Sequence, residues 1–145
     1  MTALPIVRIY TDAEGIDITY YEWPVAHPKG CVQIVHGLGE HALRYDHVAL
    51  ALNRAGYTVY ADDHRGHGAT GLRMTAEGTT KKQGNLGQGG MAAVFAGVRQ
   101  LSHIIVGENP EEPLVLIGHS WGSMIAQRIF NKYSDEYDGL VLTGS

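Results

Sequence analysis

The chain has 145 residues, 44% hydrophobic and 18% charged, with 11 Lys and Arg against 15 Asp and Glu, which suits one globular domain with its own core. A formal charge of -4 at pH 7 offers no field to attract nucleic acid or an anionic membrane surface, and one cysteine, Cys31, closes no internal disulfide. No apolar stretch is expected to approach the ~20 residues of a membrane helix, Met1 to Gly15 lacks the basic start and apolar centre of a secretory leader, and the default compartment is the cytoplasm.

No repeat or low-complexity tract interrupts the chain, and a strand-rich start gives way to alternating strands and helices, the pattern of an α/β fold with a parallel sheet. Leu4 to Tyr10 and Asp17 to Trp23 are β-prone runs separated by Asp12-Ala13-Glu14-Gly15, which predicts an antiparallel hairpin. Cys31 to Val35 is a third strand. Tyr45, Val48, Ala49 and Leu52 then fall at i, i+3, i+4 and i+7, one helix face that Gly56 closes before strand four at Tyr57 to Ala61. Asp62 to Gly90, polar and holding eight glycines, is expected to be surface loop. Met91, Val94, Val98, Leu101 and Ile105 mark an amphipathic helix ended by Gly107 and Pro110. Pro113 to Ile117 is strand five, Ala126, Ile129, Phe130 and Tyr133 mark another helix, and Leu140 to Leu142 lies in strand six. Strands five and six read as apolar on both faces, as in a covered parallel sheet.

Strand five runs straight into Gly118-His119-Ser120-Trp121-Gly122, and a helix follows at once. A G-x-S-x-G sequence in that context predicts a sharp turn that exposes the serine hydroxyl at the carboxyl end of the sheet. Residues two before and two after the serine come too close for large side chains, a demand that Gly118 and Gly122 meet. The Trp121 N–H, in the first helical turn, then points toward a developing oxyanion. Strand three ends in His36-Gly37-Leu38-Gly39-Glu40-His41, whose loop can offer a second N–H, that of Leu38, to the same place.

That stretch has a competing reading. Gly37-x-Gly39-x-x-Ala42 follows a strand and precedes a helix, with Asp62 twenty residues past Ala42, as in a dinucleotide-binding oxidoreductase. Glu40 inside the turn would repel a pyrophosphate, a hairpin precedes the strand, and Gly118 to Gly122 would be left without a role. The segment Asp62-Asp63-His64-Arg65-Gly66-His67-Gly68 admits a metal site, but its ligand spacing fits zinc poorly and its glycines fit a hydrogen-bonded turn better. His27, His47 and His103 read as surface or boundary residues. His119 points away from Ser120 by strand alternation, and the Trp121 ring either lines a substrate pocket or packs under a cap.

Together, His36 to His41 with Arg44-Tyr45, Asp62 to Gly68, and Gly118 to Ser123 resemble the α/β-hydrolase superfamily, and within it the monoacylglycerol lipase and lysophospholipase group. The resemblance implies a mostly parallel sheet with an amino-terminal antiparallel hairpin, flanked by helices. It implies a serine esterase in which Ser120 attacks an acyl carbonyl and the Leu38 and Trp121 N–H groups form the oxyanion hole. It also implies small acyl-ester substrates such as monoacylglycerols or lysophospholipids, and no metal or organic cofactor. Trp121 stands where many relatives carry a smaller residue, and Gly68-Ala69-Thr70 replaces the commoner G-x-S. Relatives place the triad acid and then the histidine after the serine, whereas no histidine follows His119 and the only later acids are Asp135, Glu136 and Asp138. Residues 1–145 are therefore expected to be the amino-terminal part of a single hydrolase domain, without a second domain, cap or last strands, and inactive or very weak alone. Strand six would be an unprotected apolar edge, covered by a carboxy-terminal half or prone to self-association. A non-catalytic scaffold that keeps the turn without its chemistry is the remaining alternative.

Overall fold

The computed structural model describes residues 4–145, so the first three residues of the stretch weighed as a leader lie outside it. Six strands form one sheet in the order β1-β2-β4-β3-β5-β6: β1 Ile6–Thr11, β2 Asp17–Trp23, β3 Gly30–Val35, β4 Tyr57–Asp62, β5 Leu114–His119 and β6 Gly139–Thr143. β1 pairs antiparallel with β2, and β2 with β4, while β3–β4, β3–β5 and β5–β6 are parallel. The sheet is thus mostly parallel with an antiparallel hairpin at one edge, as the alternation of elements predicts.

Four helices cover it: α1 Asp46–Arg54, α2 Gly68–Ala76, α3 Gly90–Glu108 and α4 Trp121–Lys132. β3 is central and buried at all six positions, because α1 packs on one face and α3 with α4 on the other. On the α1 side Trp23, Val32, Ile34, Ala49 and Val59 form the core, and the Trp23 Nε1–H donates to Asp46 at 2.8 Å. On the opposite side Val35, Leu116, Val98, Leu101, Ile125 and Ile129 meet. Tyr45 of the anticipated helix face sits in a short 3-10 turn, Ala42–Tyr45, before α1 begins.

Three expectations need correction. The segment from Asp62 to Gly90 is not all surface loop: residues 62 to 67 are buried and α2 follows them. Its composition concealed this because α2 buries one large apolar side chain, Met74, beside Thr70 and Gly71, and is held by tertiary hydrogen bonds such as Thr19 N–H to Thr70 Oγ1 at 2.9 Å. Secondly, an apolar stretch does approach membrane length. The 19-residue α3, whose most apolar window has a mean hydropathy of 1.2, is long and apolar enough to cross a membrane. Its buried stripe of Val94, Gly97, Val98, Leu101, Ser102 and Ile105 nevertheless lies on the sheet, as in a core helix. Finally, β6 is not covered on both faces: Val141 is 45% exposed; among the described residues the strand pairs with β5 alone, as the expected edge.

Candidate active site

Ser120 occupies the junction between β5 and α4, exposed, with φ 56° and ψ -120°. A side chain at positive φ is strained, and surrounding bonds hold it there. The Ser120 N–H donates to Thr143 O at the end of β6 (2.9 Å), and Ser120 O accepts the Ser123 N–H (2.9 Å) and the Ser123 hydroxyl (2.6 Å). The neighbouring glycines leave no room for anything larger. A Cβ at Gly118 would lie 2.4 Å from Gly122 O, and one at Gly122 would lie 2.0 Å from Val35 O and 2.5 Å from His36 O. α4 therefore starts in backbone contact with the end of β3.

That contact brings the β3–α1 loop beside the serine. A Cβ at Gly37 would stand 3.3 Å from Ser120 Cβ and 3.1 Å from His119 O. Leu38 follows, 69% exposed. Among the described residues neither the Leu38 nor the Trp121 N–H has a hydrogen-bond acceptor, so both are free for a ligand near Ser120. The loop is braced by Glu40, whose carboxylate accepts the Gly37 N–H at 2.6 Å and the Tyr45 hydroxyl, and pairs with Arg44 at 3.1 Å. Glu40 thereby occupies the amide that a dinucleotide pyrophosphate would need. Asp62, which the fingerprint assigns to a ribose, is buried and accepts the Tyr10 hydroxyl at 2.8 Å.

Beneath this loop lies the Asp62 to Gly68 segment. Its histidines form the hydrogen-bonded turn expected of the glycines, with the His67 N–H donating to His64 O at 2.9 Å. His36 and His64 stack with ring centroids 3.8 Å apart, and the Trp121 ring stacks on His67 at 5.4 Å and meets His64 edge-on at 5.7 Å. His36 Nε2 accepts the His64 N–H at 3.1 Å, which assigns the ring proton to Nδ1, beside Gly37 O at 2.8 Å. Burial holds the His36 pKa well below the ordinary histidine value and lowers that of His67. Both rings therefore serve as neutral struts. One side of the Trp121 ring packs on the histidines and another lines a groove of ≈ 560 Å³ with Met91, Phe95 and Met124.

Asp63 is the residue whose importance the spacing did not reveal. One carboxylate oxygen accepts the Ala42 N–H (2.8 Å) and the other the Ala69 N–H (2.9 Å) and Tyr21 hydroxyl (3.2 Å). It thus ties the starts of two helical segments, Ala42–Tyr45 and α2, under the site. Burial raises its pKa despite these donors. The signal was Gly68, where a Cβ would fall 2.4 Å from that carboxyl.

Among the described residues no histidine or acid side chain is hydrogen-bonded to the serine hydroxyl. The Ser120 hydroxyl has no hydrogen bond among the described residues, and His119 Nδ1 instead meets the Thr143 hydroxyl at 2.7 Å. Glu136 binds Arg99 and His103, and Asp138 accepts the Leu114 N–H at 2.8 Å, at the opposite end of β5; six strand residues separate that end from Ser120, about 20 Å. His27, His47 and His103 are exposed, and Cys31 is buried with its thiol pushed up to about 11 by burial.

A mostly parallel sheet with this strand order, and a serine at the sharp turn from β5 into α4, defines an α/β hydrolase. The chain belongs to the Hydrolase_4 family (serine aminopeptidase, S33), which matches residues 26–145. It is 37% identical over 131 residues to a monoacylglycerol lipase of Mycolicibacterium smegmatis, covering 90% of this chain and 43% of that protein. Against a monoglyceride lipase of Rattus norvegicus the identity is 28% over 135 residues, covering 92% and 40%. A thermostable carboxyl esterase from Bacillus coagulans superposes with a TM-score of 0.84 at 34% identity, covering 97% of this chain and 44% of the esterase. The chain spans less than half the length of these relatives.

Proposed function

We propose that the protein is a carboxylic ester hydrolase that works through an acyl-enzyme on Ser120, with a monoacylglycerol, lysophospholipid or similar small acyl ester as substrate. The observation that carries this is the exposed serine at φ 56° beside two unbonded backbone N–H groups, those of Leu38 and Trp121. The Ser120 oxygen bonds to the acyl carbon, the carbonyl oxygen takes the negative charge between the two N–H donors, and the alcohol departs with a proton; water then releases the acid. Family membership and similarity to monoacylglycerol lipases and a carboxyl esterase support the ester class.

The proton transfers need a base, and none touches Ser120 among the described residues. We read residues 1–145 as the amino-terminal part of one hydrolase domain whose acid and histidine come from elsewhere. Loss of the triad base in a serine protease costs on the order of a million-fold in turnover. These residues alone should therefore hydrolyse p-nitrophenyl butyrate at nearly the rate of a Ser120→Ala variant. Strong Ser120-dependent turnover would refute the assignment of the base. The nucleophile itself is tested in the chain extended by the relatives' remaining length: fluorophosphonate should label Ser120 there, and an unlabelled Ser120 in an active extended chain would refute it.

A further inference from the structure

We infer that the groove between α3 and α4 binds a small organic anion, a phosphate monoester with an apolar or aromatic body. The cavity is ≈ 360 Å³ and is lined by Phe95, Arg99 and His103 of α3, by Arg128 and Lys132 of α4, and by Tyr133. That size lies at the lower end of small-molecule sites. The cations are not equivalent. Arg99 lies 3.6 Å over the Tyr133 ring and binds both oxygens of Glu136 at 2.7 to 3.2 Å, while His103 meets the same carboxylate at 2.7 Å. Arg99 and Glu136 therefore match one another's charge.

Arg128 and Lys132 remain. They stand four residues apart on α4, a spacing at which like charges repel, and neither pairs with a carboxylate among the described residues. Lys132 is in the last turn, where the helix dipole favours a cation, but Arg128 is a turn further in and lacks that support. Each leans over an aromatic ring, Arg128 5.0 Å from the Phe95 centroid and Lys132 5.4 Å from that of Tyr133. A planar guanidinium and an ammonium are the donors a phosphate takes, and the two rings with Ile129 provide an apolar wall for the ester. A concave groove of this volume takes a small soluble monoester, whereas the headgroups of a membrane present a flat array. Arg128 and Lys132 lie eight and twelve residues along the helix from Ser120, about 12 and 18 Å by helical rise, so the cations stand away from the serine, although Phe95, Arg128 and Lys132 also border the groove that Trp121 lines.

The test is an NMR titration of the whole chain with phenyl phosphate, inorganic phosphate and phenol in turn, with phosphatidic acid vesicles as a fourth arm. Phenyl phosphate should give saturable shifts at Phe95, Arg99, Arg128 and Tyr133 and bind at least tenfold more tightly than either fragment. The exposed double substitution Arg128→Gln/Lys132→Gln should weaken it at least tenfold with unchanged circular dichroism, while Lys81→Gln in a distant loop should not. Absence of saturable shifts, equal affinity for inorganic phosphate, or an unaffected double variant would overturn the inference. So would vesicle binding that requires Arg128 and Lys132 without phenyl phosphate binding, which would assign the cations to a lipid surface.

Discussion

Gly122→Ala tests the geometry on which the serine's exposure depends. The new Cβ would lie 2.0 Å from Val35 O and 2.5 Å from His36 O, where a carbon–oxygen contact normally settles near ~3.3 Å. α4 must therefore retreat from β3 by roughly 1.3 Å, and that movement loosens Ile125, Ala126 and Ile129, which are 0 to 3% exposed. Overpacking of this kind costs about 3 kcal/mol, and the helical preference for alanine over glycine returns at most about 1 kcal/mol. The net loss of about 2 kcal/mol should lower the melting temperature by roughly 4–8 °C for a chain near this size. The control is Gly107→Ala, in the last turns of α3 with nothing within 4 Å of its Cβ; it should raise stability by up to about 1 kcal/mol. Differential scanning calorimetry of both variants separates sterics from propensity. A Gly122→Ala protein that melts at or above the parent temperature would show that α4 is not seated against β3 as described.

Stability should fall on acidification below about pH 6.5. His36 and His67 have lowered folded pKa values, so the unfolded chain takes up protons that the folded one refuses, and each group withdraws up to about 1.4 kcal/mol per pH unit until its folded pKa is reached. Asp63, raised by burial, acts in the opposite sense, its contribution improving as pH falls through its folded pKa. Urea titrations at pH 7.5 and 5.5 should therefore differ by about 1–3 kcal/mol, and equal midpoints would refute the buried-neutral assignment. Asp12→Asn removes the charge facing Arg65, whose side chain is 2% exposed and lies 2.7 Å from Asp12; a loss of about 3 kcal/mol is expected, and one under about 1 kcal/mol would show that Glu14 suffices as partner. The open edge of β6 should cause self-association at micromolar concentration, reduced by Val141→Lys; a clean monomer of the parent chain in light scattering would refute this.

Periodicity and turn chemistry made most of the fold legible. The hairpin, the apolar stripe of α3, and the strand–serine–helix junction all follow from local spacing. What escaped the sequence was held together at long range. α2 carries little apolar area, and its docking depends on Thr70 and on Asp63, each bonded to residues over forty positions away in β2, Thr19 and Tyr21. Asp62, Asp63 and the two histidines after them are ambiguous as text, because carboxylates and imidazoles suit a metal site as well as a hydrogen-bonded turn. Ala42, Ala69 and Tyr10 supply the donors that engage the two carboxylates.

Those long-range bonds also change which part of the chain supports the serine. The family match begins at residue 26, yet the segment on which Trp121 rests is anchored by the hairpin before it. Tyr10 bonds Asp62, Asp12 binds Arg65, Thr19 accepts the Asp63 N–H at 2.9 Å, and Tyr21 reaches Asp63. Four residues of β1, β2 and their turn thus hold positions 62, 63 and 65, while His64 and His67 meet the Trp121 ring. An edge hairpin is ordinarily the most easily frayed part of a sheet. Here its loosening would release Asp63 from one of its donors and let the floor beneath the β3–α1 loop shift, so damage at the hairpin should be felt as disorder around Leu38 and Ser120 well before the central strands separate.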